Sequence, residues 1–76
     1  MEKYYRTKDL AESASLIVCK MALIRIEKEG NICWFIFENK EKCIDISNKY
    51  FFGELLLNAR EFHEAITRLK NRIFSE

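Results

Sequence analysis

Three cysteines and one histidine are the side chains of this sequence best suited to hold a metal ion: Cys19, Cys33, Cys43 and His63. Together they would supply the thiolate and imidazole ligands of a tetrahedral zinc site. Such sites usually present a close C-x-x-C pair, whereas neighbouring cysteines here are ten or more residues apart. Each cysteine also fits an apolar position, where it acts as a small hydrophobic side chain. We therefore expect free thiols, no metal ion and no other cofactor.

The same side chains are the candidates for a catalytic nucleophile or base. His63 is the single histidine and lies at the start of the last predicted helix, which is typical of a partly exposed helical residue. Cys43, in the first turn of the second predicted helix, is the only thiol placed where a helix dipole would lower its pKa. Gly30 and Gly53 stand alone, so the sequence contains no phosphate-binding glycine loop. We predict a protein that is not an enzyme and has no small-molecule substrate.

The composition predicts one small domain over residues 1–76. Thirteen basic and twelve acidic residues nearly cancel, which excludes the broad basic field of a protein that lives mainly on nucleic-acid backbones. The opening M-E-K-Y-Y-R lacks the apolar stretch of a signal peptide, and the longest apolar run is too short to span a membrane. Free thiols fit a reducing compartment. We expect a cytoplasmic protein without a membrane partner.

Periodicity and capping residues predict the elements that position these side chains. The predicted helices span residues 8–20, 40–51 and 59–74, with Thr7, Asn39 and Asn58 at their N-caps. A β-hairpin that turns near Gly30 separates the first two helices, and Tyr4-Tyr5 and Leu55-Leu56-Leu57 are optional short strands. The predicted fold class is α+β: a small antiparallel sheet packed with three helices, in the order (β)-α-β-β-α-(β)-α.

The hairpin segment C-W-F-I-F-E-N places apolar side chains on both faces of the sheet. With Glu29-Gly30 as the turn, Ile26 would face Cys33, and Arg25 would lie beside Trp34 on the opposite face. A longer turn with a bulge would shift this register. In either register the second face is not polar. In the first register its members are Leu23, Arg25, Ile32, Trp34 and Ile36.

That second face gives the main functional hypothesis. A tryptophan flanked by aliphatic side chains and an arginine is typical of protein–protein hot spots. We predict a non-enzymatic module that binds a protein partner or a second copy of itself through this face and the last helix. Coverage of the face by the protein's own helices is the competing explanation. The aromatic run Tyr50-Phe51-Phe52 is explained by core packing, with Ile44, Ser47, Tyr50 and Phe51 turned inward on the second helix.

Nucleic-acid binding is the alternative function. Its predicted residues are Arg25, Arg60, Arg68 and Arg72, on the hairpin and the last helix. A sheet that exposes an aromatic ring and an arginine is how several single-strand binders stack bases. Glu64 reduces the positive charge of the last helix, because it is spaced to form an i,i+4 ion pair with Arg68.

The chain resembles a family of small bacterial and mobile-element proteins in five segments: Y-Y-R-T-K-D-L-A, L-I-R-I-E, W-F-I-F-E, G-E-L-L-L-N-A-R-E-F and L-K-N-R-I. That family carries only the label "domain of unknown function". Its pattern has a glycine after the first helix, where this chain has Lys20 and so lacks the preferred left-handed cap. The resemblance implies no activity and no site residues. Its association with mobile elements implies stoichiometric binding to another macromolecule rather than metabolism.

Overall fold

A computed structural model describes residues 3–74 of the chain, which form a two-layer α+β fold. The elements are β1 (Tyr4–Thr7), α1 (Leu10–Val18), β2 (Leu23–Glu29), β3 (Ile32–Glu38), α2 (Lys40–Phe51) and α3 (Ala59–Phe74). The predicted fold class and element order are therefore confirmed, including the first optional strand. The second optional strand is not formed, because residues 54–58 connect α2 to α3 without regular structure.

The helix N-termini depend on side chains that accept hydrogen bonds from free backbone N–H groups. Asn39 accepts from the Lys42 N–H of α2, and Asn58 accepts from the Glu61 N–H of α3, as predicted. The prediction for α1 was wrong by two residues. Its cap is Asp9, which accepts from the Glu12 N–H at 2.8 Å. Thr7 belongs to β1 instead.

The first helix ends in a left-handed residue that is not glycine. Lys20 has φ of 70°, and its N–H donates to the Ile17 carbonyl at 2.9 Å. The next N–H, from Met21, donates to the Leu16 carbonyl at 2.9 Å. This pair of bonds is a Schellman motif, in which glycine normally takes the left-handed position.

The antiparallel sheet has the order β1-β3-β2, so β3 is the central strand. The hairpin turns at Gly30-Asn31 with Gly30 at φ of 62°, which suits a two-residue turn with glycine first. Ile26 therefore pairs with Phe35 and not with Cys33. Of the registers left open by the sequence, the one with Glu29-Gly30 as the turn is not formed. The observed pairing differs from it by two positions, which leaves these side chains on the same face.

A β-bulge between Leu23 and Arg25 changes the face of one residue. Ile24 is the extra residue and is 41% exposed. Leu23 then pairs with Phe37 and contacts the core. The prediction that placed Leu23 on the second face was therefore wrong, because a bulge reverses the alternation of side chains along a strand.

The core lies between the sheet and one layer of helices. Its buried members are Ala14, Leu16, Phe35, Phe37, Cys43, Ala65 and Leu69, which come from β3 and all three helices. An apolar stripe of α3, from Phe62 to Ile73, contacts this core. The Cα atoms extend only 18 Å in the shortest direction, which fits one sheet and one helical layer. No helix within residues 3–74 is long and apolar enough to cross a membrane.

The inward face of α2 differs from the prediction. Cys43 is fully buried, and Ile46, Ser47 and Tyr50 are half-buried at helical spacing. Ile44 and Phe51 are exposed, so placing these two inward was wrong. Compared with the prediction, the inward face of α2 is shifted by about one residue. The reason is that Cys43, the smallest apolar side chain of this helix, faces the centre of the core.

Candidate functional site

The second face of the sheet is not covered by a helix of the described chain. Alternation places Ile32, Trp34 and Ile36 on this face, and none of them belongs to the core or contacts it. Ile36 is nevertheless only 4% exposed. Its cross-strand partners are Arg6 on β1 and Arg25 on β2, whose long side chains flank it on both sides. The protein's own charged side chains therefore cover much of the predicted apolar face.

Arg6 is the main cover of this face. Its guanidinium carbon lies 4.0 Å from the centre of the Trp34 ring, and one of its nitrogens lies 3.0 Å from a carboxylate oxygen of Glu29. Lys8 lies over the same ring at 6.0 Å. The Trp34 Nε1 atom is buried without a hydrogen-bond partner among residues 3–74. An unpaired donor of this kind costs about 1–3 kcal/mol, which offsets part of the cation–π attraction.

Exposed apolar side chains gather at the connection between α2 and α3. Phe51, Phe52 and Leu56 are 81%, 73% and 94% exposed, and we name these three residues the apolar corner. The two rings contact each other edge to face, with centres 5.9 Å apart. Gly53 at φ of 72° ends α2 and turns the chain immediately after them. The explanation of this aromatic run by core packing was wrong for Phe51 and Phe52.

A groove of about 410 Å³ lies between β2 and α3. Its walls are residues 23–26 of β2 and Ala65, Arg68, Leu69 and Arg72 of α3, with Ile17 and Met21 completing the apolar floor. We name this feature the arginine groove, because Arg25, Arg68 and Arg72 line it and no acidic residue does.

The arginine groove is lined by three of the four residues predicted for nucleic-acid binding, but the Arg25 side chain lies on the second face of the sheet, where it flanks Ile36. Arg60 is not among its lining residues, and its Nε atom lies 3.4 Å from a carboxylate oxygen of Glu64. The predicted pair of Glu64 with Arg68 was therefore wrong. Arg68 makes no ion pair with another of the described residues. Its charge is available to a ligand.

A buried carboxylate connects β1, α1 and α2. Glu12 is 8% exposed and accepts hydrogen bonds from Tyr5 and Thr7, each at 2.5 Å, and from Ser47. Burial and the hydrogen bond to Glu12 raise the pKa of Tyr5. Three hydroxyl donors satisfy the carboxylate without a cation, so the cluster fixes the position of β1 against the helices.

The two candidate catalytic groups, Cys43 and His63, lie in different environments, one buried and the other exposed. Burial, and the negative charge of Glu12, raise the pKa of Cys43 to about 11. Its Sγ atom lies 3.4 Å from the Glu38 carbonyl oxygen, to which the thiol donates. This is the reverse of the predicted effect of the helix dipole, because desolvation of a fully buried thiolate outweighs it. His63 is exposed on α3.

The cysteines and acidic residues do not form a metal site in the described chain. Burial also raises the pKa of Cys19, and all three cysteines are free thiols. No group of three or more histidine, cysteine, aspartate or glutamate side chains within residues 3–74 could hold a metal ion.

Sequence reasoning missed the residues that decide how the second face is covered. Arg6 was not among the predicted site residues, although its alternation with Tyr5 and Thr7 places it on that face once β1 pairs with β3. The apolar corner was visible only as an aromatic run. The helix spacing of Cys43, Ile46 and Tyr50 would have indicated that Phe51 points away from the core.

Comparison with known proteins identifies one family. No curated protein and no solved structure is significantly similar to the chain. The model of one family matches residues 2–75, which is almost the entire chain, and its description is "Domain of unknown function (DUF5659)". The chain belongs to this family, DUF5659, a domain of unknown function.

Proposed function

We propose that this protein is a non-enzymatic binding module that acts by stoichiometric contact with another protein molecule. The apolar corner is the contact surface in this proposal. The observation that carries it is the exposure of Phe51, Phe52 and Leu56 within a few residues of each other. The second sheet face takes a smaller part than the sequence predicted, because Arg6 already covers Trp34 there.

The size of the apolar corner supports this role. Its three side chains expose on the order of 400 Å² of apolar surface, taking roughly 150–250 Å² for each aromatic side chain. The largest apolar patch of a monomeric protein is of this size and is often functional. A 76-residue chain has a small core, so leaving two phenylalanines in water forgoes stabilisation that a partner would restore.

The chemistry of the remaining groups supports a role without catalysis. The Cys43 thiol stays protonated at neutral pH because its pKa is about 11, and a thiol is a much weaker nucleophile than a thiolate. His63 is an exposed residue of α3 that has no acidic residue hydrogen-bonded to it in the described chain. Within residues 3–74, neither group has a hydrogen-bonded acidic or basic side chain of the kind that general acid–base catalysis uses.

The nucleic-acid alternative has less support. A base would have to stack on the Trp34 ring, and the Arg6 guanidinium occupies that ring face at 4.0 Å. Arg60 is paired with Glu64, which removes one of the predicted phosphate contacts. The arginine groove remains a basic feature of the surface.

The proposal includes a cytoplasmic location and an association with mobile elements. Three free cysteines in so small a chain fit a reducing compartment. The link to mobile elements rests on the sequence resemblance alone. Either setting is compatible with a partner that is a second copy of the chain or a different protein.

Site-specific photo-crosslinking tests the contact surface. A photo-reactive phenylalanine analogue is placed at Phe52 in the full chain, and a matched control carries the analogue at Lys70, an exposed position of α3 outside the apolar corner. We expect a discrete crosslinked species from position 52 and none from position 70. A dimer band from purified protein would identify self-association, and a new band in cell extract would identify another protein. Equal products from both positions, or none from either, would contradict the proposal.

A further inference from the structure

We infer that the apolar corner binds a second copy of this chain, with an aromatic ring of each copy seated in a hollow of the other. The hollow lies beside the apolar corner and is lined by Ser15, Tyr50, Leu55, Leu57, Ala59 and Phe62. We name it the leucine hollow. This inference rests on the proposed function, because it names the partner that the apolar corner contacts. It fails alone if the corner contacts only a different protein.

Projecting and recessed side chains are neighbours in the chain. Leu55 and Leu57 are half-buried and line the leucine hollow, whereas Leu56 between them is 94% exposed. In the same way, Tyr50 lines the hollow and the next residue, Phe51, is 81% exposed. A single surface patch therefore carries both an apolar projection and an apolar recess.

The size and chemistry of the leucine hollow suit one aromatic ring. Its volume is about 270 Å³, which exceeds the roughly 150 Å³ of an apolar cavity that accepts benzene. No charged side chain of residues 3–74 lines it. The Ser15 hydroxyl donates to the Ala11 carbonyl at 3.0 Å, so its hydrogen is already used. The hollow therefore favours an apolar occupant, such as the ring of Phe51 or Phe52.

A two-fold dimer uses the projection and the recess together. In such a dimer the same patch of each copy meets itself. Phe51 and Phe52 are 81% and 73% exposed, so neither ring fills the hollow of its own chain. About a two-fold axis, each copy gives a ring to the other and receives one in return. The interface then contains two identical contacts, and each hollow is completed only by the other copy.

The charges around the patch permit contact between identical copies. The nearest charged residues along the chain carry both signs: Lys49, Glu54 and Arg60. The Lys49 Nζ atom lies 4.0 Å from an Asp45 carboxylate oxygen, and Arg60 Nε lies 3.4 Å from one of Glu64. Two such patches do not repel each other as two patches of one sign would. A strongly charged partner gains nothing from this surface.

The area of the patch predicts a reversible dimer. The apolar corner exposes on the order of 400 Å² per copy, and a standard interface buries about 800 Å² per partner. The wall of the leucine hollow adds to the corner, which leaves the contact at the lower end of specific interfaces. Interfaces of that size are transient. We therefore expect monomer and dimer to exchange with concentration.

Sedimentation equilibrium of the full chain, from micromolar to millimolar concentration, tests the inference. We expect a monomer–dimer equilibrium that a double variant, Phe51→Ser with Phe52→Ser, weakens at least tenfold. The matched control is Phe74→Ser, which removes a phenylalanine that is 80% exposed at the end of α3, outside the corner. It should change the dissociation constant by no more than about twofold. A monomer at every concentration, or equal effects of both variants, would overturn the inference.

A second pair of variants tests the leucine hollow. Ala59→Trp fills the hollow and leaves both rings in place, and Thr67→Trp makes a similar change at an exposed position of α3 outside it. We expect Ala59→Trp to weaken dimerisation at least tenfold and Thr67→Trp to leave it within about twofold. Equal effects would overturn the inference. The double variant decides the question if Ala59→Trp fails to fold.

Mixing the two weakened proteins tests the reciprocal contact. The chain with Ala59→Trp keeps its rings, and the chain with Phe51→Ser and Phe52→Ser keeps its open hollow. A mixed dimer retains one of the two contacts, whereas each protein alone retains neither. We expect the mixture to associate at least tenfold more tightly than either protein alone. No gain on mixing would overturn the inference.

The photo-crosslinking experiment separates this inference from the proposed function. A crosslink from position 52 to a different protein, with the purified chain monomeric at every concentration, would overturn the inference and leave the proposed function standing. A crosslinked dimer of the purified chain, abolished by Ala59→Trp, would support both. The absence of any crosslink and of any dimer would contradict both.

Discussion

At the scale of single residues, burial determines the chemistry of Cys43. The Cys43 thiol on α2 is fully buried and donates a hydrogen bond to the Glu38 carbonyl. Glu12, a second buried titratable group, is satisfied by the hydroxyl groups of Tyr5, Thr7 and Ser47. Cys43 lies inside the fold, where burial favours the neutral thiol. The burial of Cys43 and Glu12 therefore ties both groups to the stability of the fold.

The raised pKa of Cys43 predicts a loss of stability at alkaline pH. Below pH 9 the thiol is protonated in both states, whereas between pH 9 and about 11 only the folded state keeps the proton. Deprotonation therefore lowers the free energy of the unfolded state relative to the folded state as the pH rises through this window. We expect the free energy of unfolding to fall by up to roughly 2 kcal/mol there. Urea denaturation at several pH values would measure it.

The control for this prediction is Cys43→Ala. The variant removes the titrating group, so its free energy of unfolding should fall less steeply over the same window. Tyr5 contributes in the same direction at the upper end, because its pKa is also raised. An identical decline in both proteins would assign the effect to Tyr5 and to other residues.

At the scale of elements, the end of α1 carries a strained residue. Lys20 holds φ of 70° in the left-handed position of a Schellman motif. A side chain with a Cβ atom pays roughly 1–2 kcal/mol for this conformation, whereas glycine adopts it freely. Glycine also gives the unfolded chain more freedom, which removes part of the gain.

Lys20→Gly should therefore stabilise the protein by about 0.5–1 kcal/mol. Lys20 is exposed, so the substitution removes little packing. Thermal or urea denaturation measures the change. Lys70→Gly is the opposite control, because position 70 is an exposed residue inside α3, where glycine costs about 1 kcal/mol. A loss of stability in Lys20→Gly would mean that the helix end is not left-handed in solution.

Local signals predicted the elements well, because each is decided by a few neighbouring residues. Asn39 and Asn58 satisfy free N–H groups within their own first turn, so the starts of α2 and α3 follow from sequence. Thr7 and Asp9 are both good caps, and propensity alone does not choose between them. The choice is made by the pairing of Thr7 with Phe35 in the sheet, which is a long-range contact.

The faces of the elements were harder to predict. The register of the hairpin depends on whether Gly30 is the first or second residue of the turn, and the sequence permits both. Ile24 gives no local sign of a bulge, yet its insertion moves Leu23 into the core. Phe51 looks like a core residue by type. Only the placement of Cys43 against the sheet determines that Phe51 turns outward.

At the scale of the whole molecule, the helices within residues 3–74 cover only one face of the sheet. The three helices pack on the side of Phe35 and Phe37, and the other side is covered by charged side chains from the edge strands. Long arginine side chains can shield apolar residues while their guanidinium groups stay in water. This explains how Ile36 is 4% exposed without a second helical layer. Single side chains shield this face, and the shielding of Trp34 depends on Arg6.

Arg6→Ala should expose the second face of the sheet to solvent without unfolding the protein. Trp34 is the single tryptophan, so its fluorescence reports on this face alone. We expect its emission to shift to longer wavelength and acrylamide to quench it more strongly, because the guanidinium at 4.0 Å no longer shields the ring. The free energy of unfolding should fall by roughly 1 kcal/mol, from the lost cation–π contact and the exposed ion pair with Glu29.

Arg60→Ala is the matched control for this experiment. It removes an exposed arginine that pairs with Glu64 on α3, away from the Trp34 ring, so the emission should not change. Unchanged emission in Arg6→Ala would mean that Arg6 does not cover the ring in solution. The second face would then expose more of the Trp34 ring than the structure shows, and the sheet would become the first place to seek the partner.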